Sequence, residues 1–259
     1  MNERKYKKIY EKLKCFEDIN KISKAYSVNT GAISNIFHQK TVRNVRKYHS
    51  RIVNKAPALV RSWKRGDTIL ELASKNNFPP ALLASIMLKE MGYKSKTVIK
   101  NPEVLEDKRL RYELIKAIDV DFCFSPQAHS MQSGQGRMGE DMIHEWLEHC
   151  DLEFITESDM SKEPNTKTPD FLLSEPYKVD GIDVRWIESK AVFADEKEHN
   201  RYQLKQFSFY EDLFGPGMVV YWYGFLDNLV PNNYLITDYT FFEVMGYDVD
   251  KLINRTLTW

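Results

Sequence analysis

From Met218 to Phe225 the chain reads Met-Val-Val-Tyr-Trp-Tyr-Gly-Phe, without one charged side chain. Successive residues of a strand point to opposite faces, so a continuous apolar run predicts a strand buried on both faces. Gly215-Pro216-Gly217 breaks the chain just before it. Upstream, the pattern predicts a helix over Gly139 to His149 and a strand over Leu152 to Thr156. A loop from Glu157 to Thr166 follows, then a strand over Thr168 to Leu173. Asp180-Gly181 marks a hairpin turn before a strand over Val184 to Ala191. A helix over Glu196 to Leu213 completes the order helix, three strands, helix, strand, which is an α/β architecture.

The N-terminal part has another texture. Residues 1–100 read as almost all helix and carry 22 Lys and Arg against 7 Asp and Glu. Residues 101–259 carry 15 against 30, so a net charge of zero conceals two opposite halves. A basic half points to a polyanion, because neutralised phosphates release counterions; mutual attraction of the two halves is the plainer alternative. Ile19 to Val28 has apolar residues at helical spacing, Asn29-Thr30-Gly31 breaks it, and a second helix runs through Ile33 and Phe37 to Arg51. The arrangement recurs: Asp67 is expected to cap a helix over Thr68 to Lys75, and Pro80 to open one that Gly92 ends. Both pairs resemble helix-turn-helix units, with a plain helical bundle as the alternative. Arg43, Arg46, Lys47, Lys64 and Arg65 are the candidate nucleic-acid contacts. The domain boundary is expected near 105, giving a basic helical region over 1–105 and an α/β domain over 106–259. The segment from Ser125 to Gly136 reads as a loop.

Other classes are disfavoured. No apolar stretch is long enough for a membrane span. The basic N-terminus leads into no apolar segment, so a secretory signal is not expected. Cys15, Cys123 and Cys150 are widely spaced and form no CxxC pair, which argues against a disulfide framework or zinc ribbon. His144 and His149 are five apart, roughly 140° around a helix, and do not share a metal as an H-E-x-x-H pair would.

The candidate chemistry lies in the strands. In Trp186-Ile187-Glu188-Ser189-Lys190-Ala191, Glu188 and Lys190 share one strand face. Asp170 ends Thr168-Pro169-Asp170 on the preceding strand, within reach across a turn. Phosphodiester hydrolysis uses a divalent metal held by hard oxygen ligands, and a lysine can neutralise developing charge. Asp170, Glu188 and Lys190 supply that set for Mg2+ or Mn2+. Glu140, near the start of the preceding helix, is a third candidate metal ligand, although an acidic residue there also complements the helix dipole. Gln203 and Gln206 share a helix face at i, i+3 spacing, and Gln206 is the candidate for phosphate or water contact. A surface ion pair is the bland reading of Glu-x-Lys alone. Tyr221, Trp222 and Tyr223 are expected to be buried strand, not a stacking platform.

Three blocks carry a family resemblance: Lys167 to Leu173, Trp186 to Ala191, and Phe214 to Phe225. Together they resemble the TPD-motif family of the PD-(D/E)xK superfamily. That resemblance implies a restriction-endonuclease-like fold, related to Holliday junction resolvases and preceded by helix-turn-helix-like regions. It implies a metal-dependent nuclease, a structure-selective DNA endonuclease, with Asp170, Glu188, Lys190, Glu140 and Gln206 as the matching active-site positions. It also implies location in the nucleus, with the cytoplasm as the alternative, and a codanin-like protein partner. The chain departs from the family pattern around Asp121 to Gln135 and after Leu226. The alternative class is a DNA-binding adaptor that keeps the fold as a scaffold. DNA against RNA, the form of the substrate, and a homodimer are left open.

Overall fold

The computed structural model describes residues 1–160 and 167–254 of the chain. In chain order, the N-terminal helices are α1 (Glu3–Lys12), α2 (Asp18–Tyr26), α3 (Thr30–Asn54), α4 (Ala56–Lys64), α5 (Ile69–Asn76), α6 (Pro80–Glu90), α7 (Ser95–Lys100) and α8 (Lys108–Asp119). Helix α9 (Pro126–His149) leads to strands β1 (Phe154–Thr156), β2 (Phe171–Val179) and β3 (Ile182–Lys190). Helices α10 (Glu196–Tyr202) and α11 (Ser208–Phe214) flank a π-helical turn over Gln203–Phe207. Strands β4 (Gly217–Tyr221) and β5 (Tyr234–Thr237) and short helices α12 (Tyr239–Val244) and α13 (Asp250–Ile253) follow.

Two compact units result, one from Met1–Phe37 with the described residues from Gly134 onward, the other from His38–Ser133. The division therefore falls inside α3 and α9, whereas the composition shift suggested a break near 105. Compactness follows contacts, and the composition of a helix does not show where its contacts change partner.

The first unit is built on a five-stranded mixed sheet in the order β1-β2-β3-β4-β5. β1, β2 and β3 pair antiparallel; β3, β4 and β5 pair parallel. The expected helix, three strands, helix and strand are all present, and β5 extends the series. Asp180 and Gly181 both have positive φ, 47° and 84°, the two-residue hairpin geometry for which Asp-Gly is suited. β2 starts later and runs further than predicted, with a register irregularity between Leu172 and Tyr177. Pro176 lies in that interval and has no N–H to give a neighbouring strand. β4 shows the predicted burial on both faces: Met218 and Val220 enter one apolar cluster, Val219 and Tyr221 the other. Tyr221, Trp222 and Tyr223 are buried, as expected.

Several sequence expectations are corrected. The Ser125 to Gly136 segment is helical, not a loop. Ser125 accepts the Ala128 amide at 3.1 Å and Pro126 occupies the first helical position, a start signal outweighed in the sequence by Ser and Gly content. Gly31 does not break the chain but lies in the first turn of α3. A side chain there would meet the Ile253 carbonyl and the Tyr223 ring. The cap of α5 is Thr68, whose hydroxyl accepts the Glu71 amide in a capping box; Asp67 pairs with Lys75 at 2.8 Å instead. The single helix expected over 196–213 contains the π turn. The predicted loop to Thr166 lies outside the described residues from 161 on.

The His38–Ser133 unit has its own core from α3 to α8. Two buried carboxylates organise it. Glu113 on α8 accepts the Trp63 indole N–H at 3.2 Å and the Ile69 amide at 2.8 Å, and pairs with Arg109 at 2.7 Å. It therefore joins α4, α5 and α8. Asp121 accepts the amides of Ala81, Cys123 and Phe124 at 2.8–3.0 Å. Burial pushes its pKa up and these amides oppose the rise. Replacing Glu113 by Ala strands two buried donors and is expected to cost about 3 kcal/mol. Urea unfolding checks this, and a loss below about 1 kcal/mol would show that water replaces the carboxylate.

A candidate active site on the mixed sheet

Parallel pairing with β4 places Glu188 opposite Val219 and Lys190 opposite Tyr221. β3 is thus an interior strand, and towards its C-terminal end Glu188 is buried and Lys190 half-buried. Ile187 joins the apolar cluster on one face, while Ser189 accepts the Trp222 indole N–H at 2.8 Å. Glu188 and Lys190 share the other face, as their i, i+2 spacing requires, and form an ion pair with each other. Glu188 is only 2% exposed.

Asp170 sits one residue before β2 and is locked to β3 in two ways. Its carboxylate accepts the Ser189 amide at 2.7 Å, and its own amide donates to Glu188 at 3.3 Å. The structure therefore brings Asp170, Glu188 and Lys190 together. Lys190 also lies 5.1 Å from the centroid of the Tyr202 ring, on which Arg201 packs at 4.2 Å.

Burial drives the electrostatics. It lifts the pKa of Glu188 to about 7, against the pull of Lys190. Asp170 is raised for the same reason, with Lys190 and the Ser189 amide opposing. Lys190 is disfavoured by burial as well, yet Glu188 and Asp170 outweigh this and raise its pKa. One end of the ion pair resists charge and the other favours it. Charge counting reconciles them: two carboxylates share one ammonium, so the ammonium gains from both and one carboxylate lacks a counter-charge. Among the described residues, the site is short of one positive charge.

Glu140 stands on exposed helix surface, but its carboxyl pKa is raised by burial, by Asp170, by Asp141 and by Glu157, with Lys190 opposing. It thus feels the site. Its placement depends on Gly139, where a Cβ would run into the Trp222 indole. Gln206 is half-buried in the π turn. Gln203 is committed elsewhere, accepting the Tyr234 hydroxyl at 3.0 Å. That hydroxyl also meets His199, whose other ring nitrogen lies 3.0 Å from the Tyr221 hydroxyl. Arg46, Lys47, Lys64 and Arg65 are exposed and Arg43 half-buried, all in the His38–Ser133 unit.

Three neighbours escaped the sequence reading. Glu157, just past β1, donates its amide to the Asp170 carbonyl at 3.0 Å, and its charge raises Asp170 and Glu140. Tyr210 donates to the Thr168 carbonyl at 2.8 Å, and its phenol is raised by burial and then by Glu188 and Asp170. Tyr202 is the third. No spacing rule links them to Glu-x-Lys, because the sheet and the turned helix bring them in.

Among the described residues, no three His, Cys, Asp or Glu side chains form a group able to enclose a metal. Asp170 and Glu188 are nevertheless hard oxygen donors in a site lacking positive charge. Magnesium keeps several waters and needs only one or two carboxylates, so this donor set fits.

Fold and site together define a mixed α/β protein with a glutamate and a lysine on an interior strand and an aspartate locked to them from the start of the neighbouring strand. The chain belongs to the TPD family: the profile described as "Protein of unknown function TPD sequence-motif" matches residues 106–240. The protein named CDAN1-interacting nuclease 1 from Bos taurus is 34% identical over 73% of this chain and 69% of its own length. Its Mus musculus counterpart is 31% identical, covering 78% of this chain and 79% of itself. The Danio rerio protein is 36% identical over 62% and 57%. No solved structure matches the chain.

Two outcomes follow from this geometry. Gly139→Ala is expected to cost about 1–3 kcal/mol, because the rigid indole of Trp222 leaves no room and α9 must shift; thermal unfolding reads it. Glu188 gives a pH signature. Its folded pKa is above the ordinary 4.5, so the unfolded chain ionises first and stability falls as pH rises from about 4.5 to about 7. Glu188→Gln should remove roughly 1–3 kcal/mol of that fall. Parallel stability-pH curves for the two proteins would contradict the assignment.

Proposed function

We propose that the protein is a metal-dependent nuclease of the PD-(D/E)xK kind, a structure-selective DNA endonuclease. One observation carries the reading: a buried Glu188 beside a half-buried Asp170, with a single lysine, which among the described residues lack one positive charge. A buried uncompensated carboxylate is costly and persists where function uses it. The element order from α9 to β4 and the printed name of the relatives support the same reading.

Asp170 and Glu188 would hold Mg2+ or Mn2+, with Glu140 in support. The ion would polarise the scissile phosphate and lower the pKa of a water. Lys190, held between Glu188 and the Tyr202 ring, presents an ammonium to developing negative charge. The Ser189 amide orients Asp170 and favours its charged form. Gln206, in the π turn, is the candidate for contact with a phosphate or the attacking water. Arg43, Arg46, Lys47, Lys64 and Arg65 are the candidate cations for a nucleic-acid backbone, and the α2–α3 and α5–α6 pairs are the helix-turn-helix-like elements. A codanin-like partner is proposed from the relatives' name, and a DNA substrate favours the nucleus.

The test is cleavage of labelled duplex, single-strand, flap and four-way-junction DNA with Mg2+, Mn2+ or EDTA. Wild type is expected to cut with either metal and not with EDTA. Asp170→Ala and Glu188→Ala should lose about a hundredfold or more in rate while still binding DNA. Undiminished cleavage by either variant would refute the site. Absence of cutting by a folded wild type that binds DNA would favour the adaptor reading.

A further inference from the structure

The face of the π turn and α11 carries large apolar residues open to solvent: Leu204 is 77% exposed, Phe209 49% and Leu213 60%. Their spacing of five and then four suits one face only because the wider π turn separates the first two. Lys167 extends its ammonium over the Phe209 ring, 4.7 Å from the centroid, and donates to the Lys205 carbonyl. Lys205 is itself exposed. This patch is anchored to the candidate site. Tyr210, next to Phe209, bonds the Thr168 carbonyl at 2.8 Å, and Lys167 precedes Asp170 by three residues.

We propose that Phe209, with Lys167 and Lys205, forms a stacking platform for an unpaired base beside the scissile phosphate. The proposal rests on the nuclease reading and narrows its substrate class to single-stranded or branched nucleic acid. An exposed aromatic ring flanked by ammonium groups is the combination that holds single strands: the ring takes a base face and the cations take the backbone. A blunt duplex keeps its bases stacked and offers the ring nothing. Lysines at the edge of the apolar face favour a polyanion over a purely apolar partner. The buried aromatic run of β4 does not compete for this role.

The experiment uses the full chain carrying Asp170→Ala, so that DNA is bound but not cut. Affinity is measured for a single-stranded oligonucleotide containing 2-aminopurine and for a blunt duplex. Phe209→Ala is expected to weaken single-strand binding about tenfold and remove the stacking quench, and to leave duplex binding unchanged. Phe209→Trp should restore both. Equal single-strand affinity with and without the Phe209 ring overturns the platform. So does a change in sedimentation mass on Phe209→Ala with single-strand binding intact, which would mark a contact between copies. Wild-type cleavage is read in parallel. Cutting by wild type with unchanged binding by Phe209→Ala sinks the platform alone. No cutting by wild type, with single-strand binding still lost in Phe209→Ala, sinks the nuclease reading and leaves the platform standing.

Discussion

The parallel pairing of β3 with β4 is the constraint from which the site follows. Antiparallel pairing on one side and parallel pairing on the other make β3 an interior strand. Its two faces are then filled, one by the cluster around Ile187 and Met218, the other by the cluster around Trp186 and Val219. The charges on its buried C-terminal half must be met inside the protein. Glu188 meets Lys190, Asp170 turns to the Ser189 amide, and among the described residues one carboxylate is left without a counter-charge. Apolar substitutes of similar size would suit such a strand better, so the charges stand against the local demand for stability. That opposition between packing and charge separates this cluster from an ordinary surface ion pair.

The supporting parts serve the same geometry. Gly139 lets α9 lie against Trp222, and Trp222 in turn bonds Ser189, whose amide holds Asp170. One chain of contacts therefore runs from a helix to a carboxylate. On the other face, Tyr210 fixes the segment leading into β2, while the tyrosines at 221 and 234 bracket His199. Burial lowers the His199 pKa, and the ring links helix and sheet through both of its nitrogens.

Much of this was legible in the amino-acid sequence, where local chemistry decides the outcome. Period-two placement put Glu188 and Lys190 on one face, Asp180-Gly181 specified its hairpin, and the charge-free run announced an interior strand. Legibility failed where the deciding contact is distant. The beginning of α9 is rich in Ser and Gly, and its helicity rests on the Ser125 cap and packing of residues such as Ala128. β5 is short and mostly half-buried, and only its partner β4 makes it a strand. Glu157, Tyr202 and Tyr210 come to the carboxylates across strands and around a turned helix, which no spacing in the chain encodes. Composition likewise showed two electrostatic halves but not a division running through the middle of α3 and α9.

The π turn over Gln203–Phe207 has a consequence for how this stretch tolerates change in length. Each residue of an α-helix turns the axis by about 100°. The wide turn takes in one residue more than regular winding would, so removing one position there restores an α-helix and keeps the residues beyond it on nearly the same face. Tyr210 would stay near Thr168 and Phe209 near Lys167. A deletion elsewhere in this helix has no such slack and turns everything beyond it by the full angle. The segment therefore carries one spare letter: it admits a change of count at the wide turn and only changes of letter on either side.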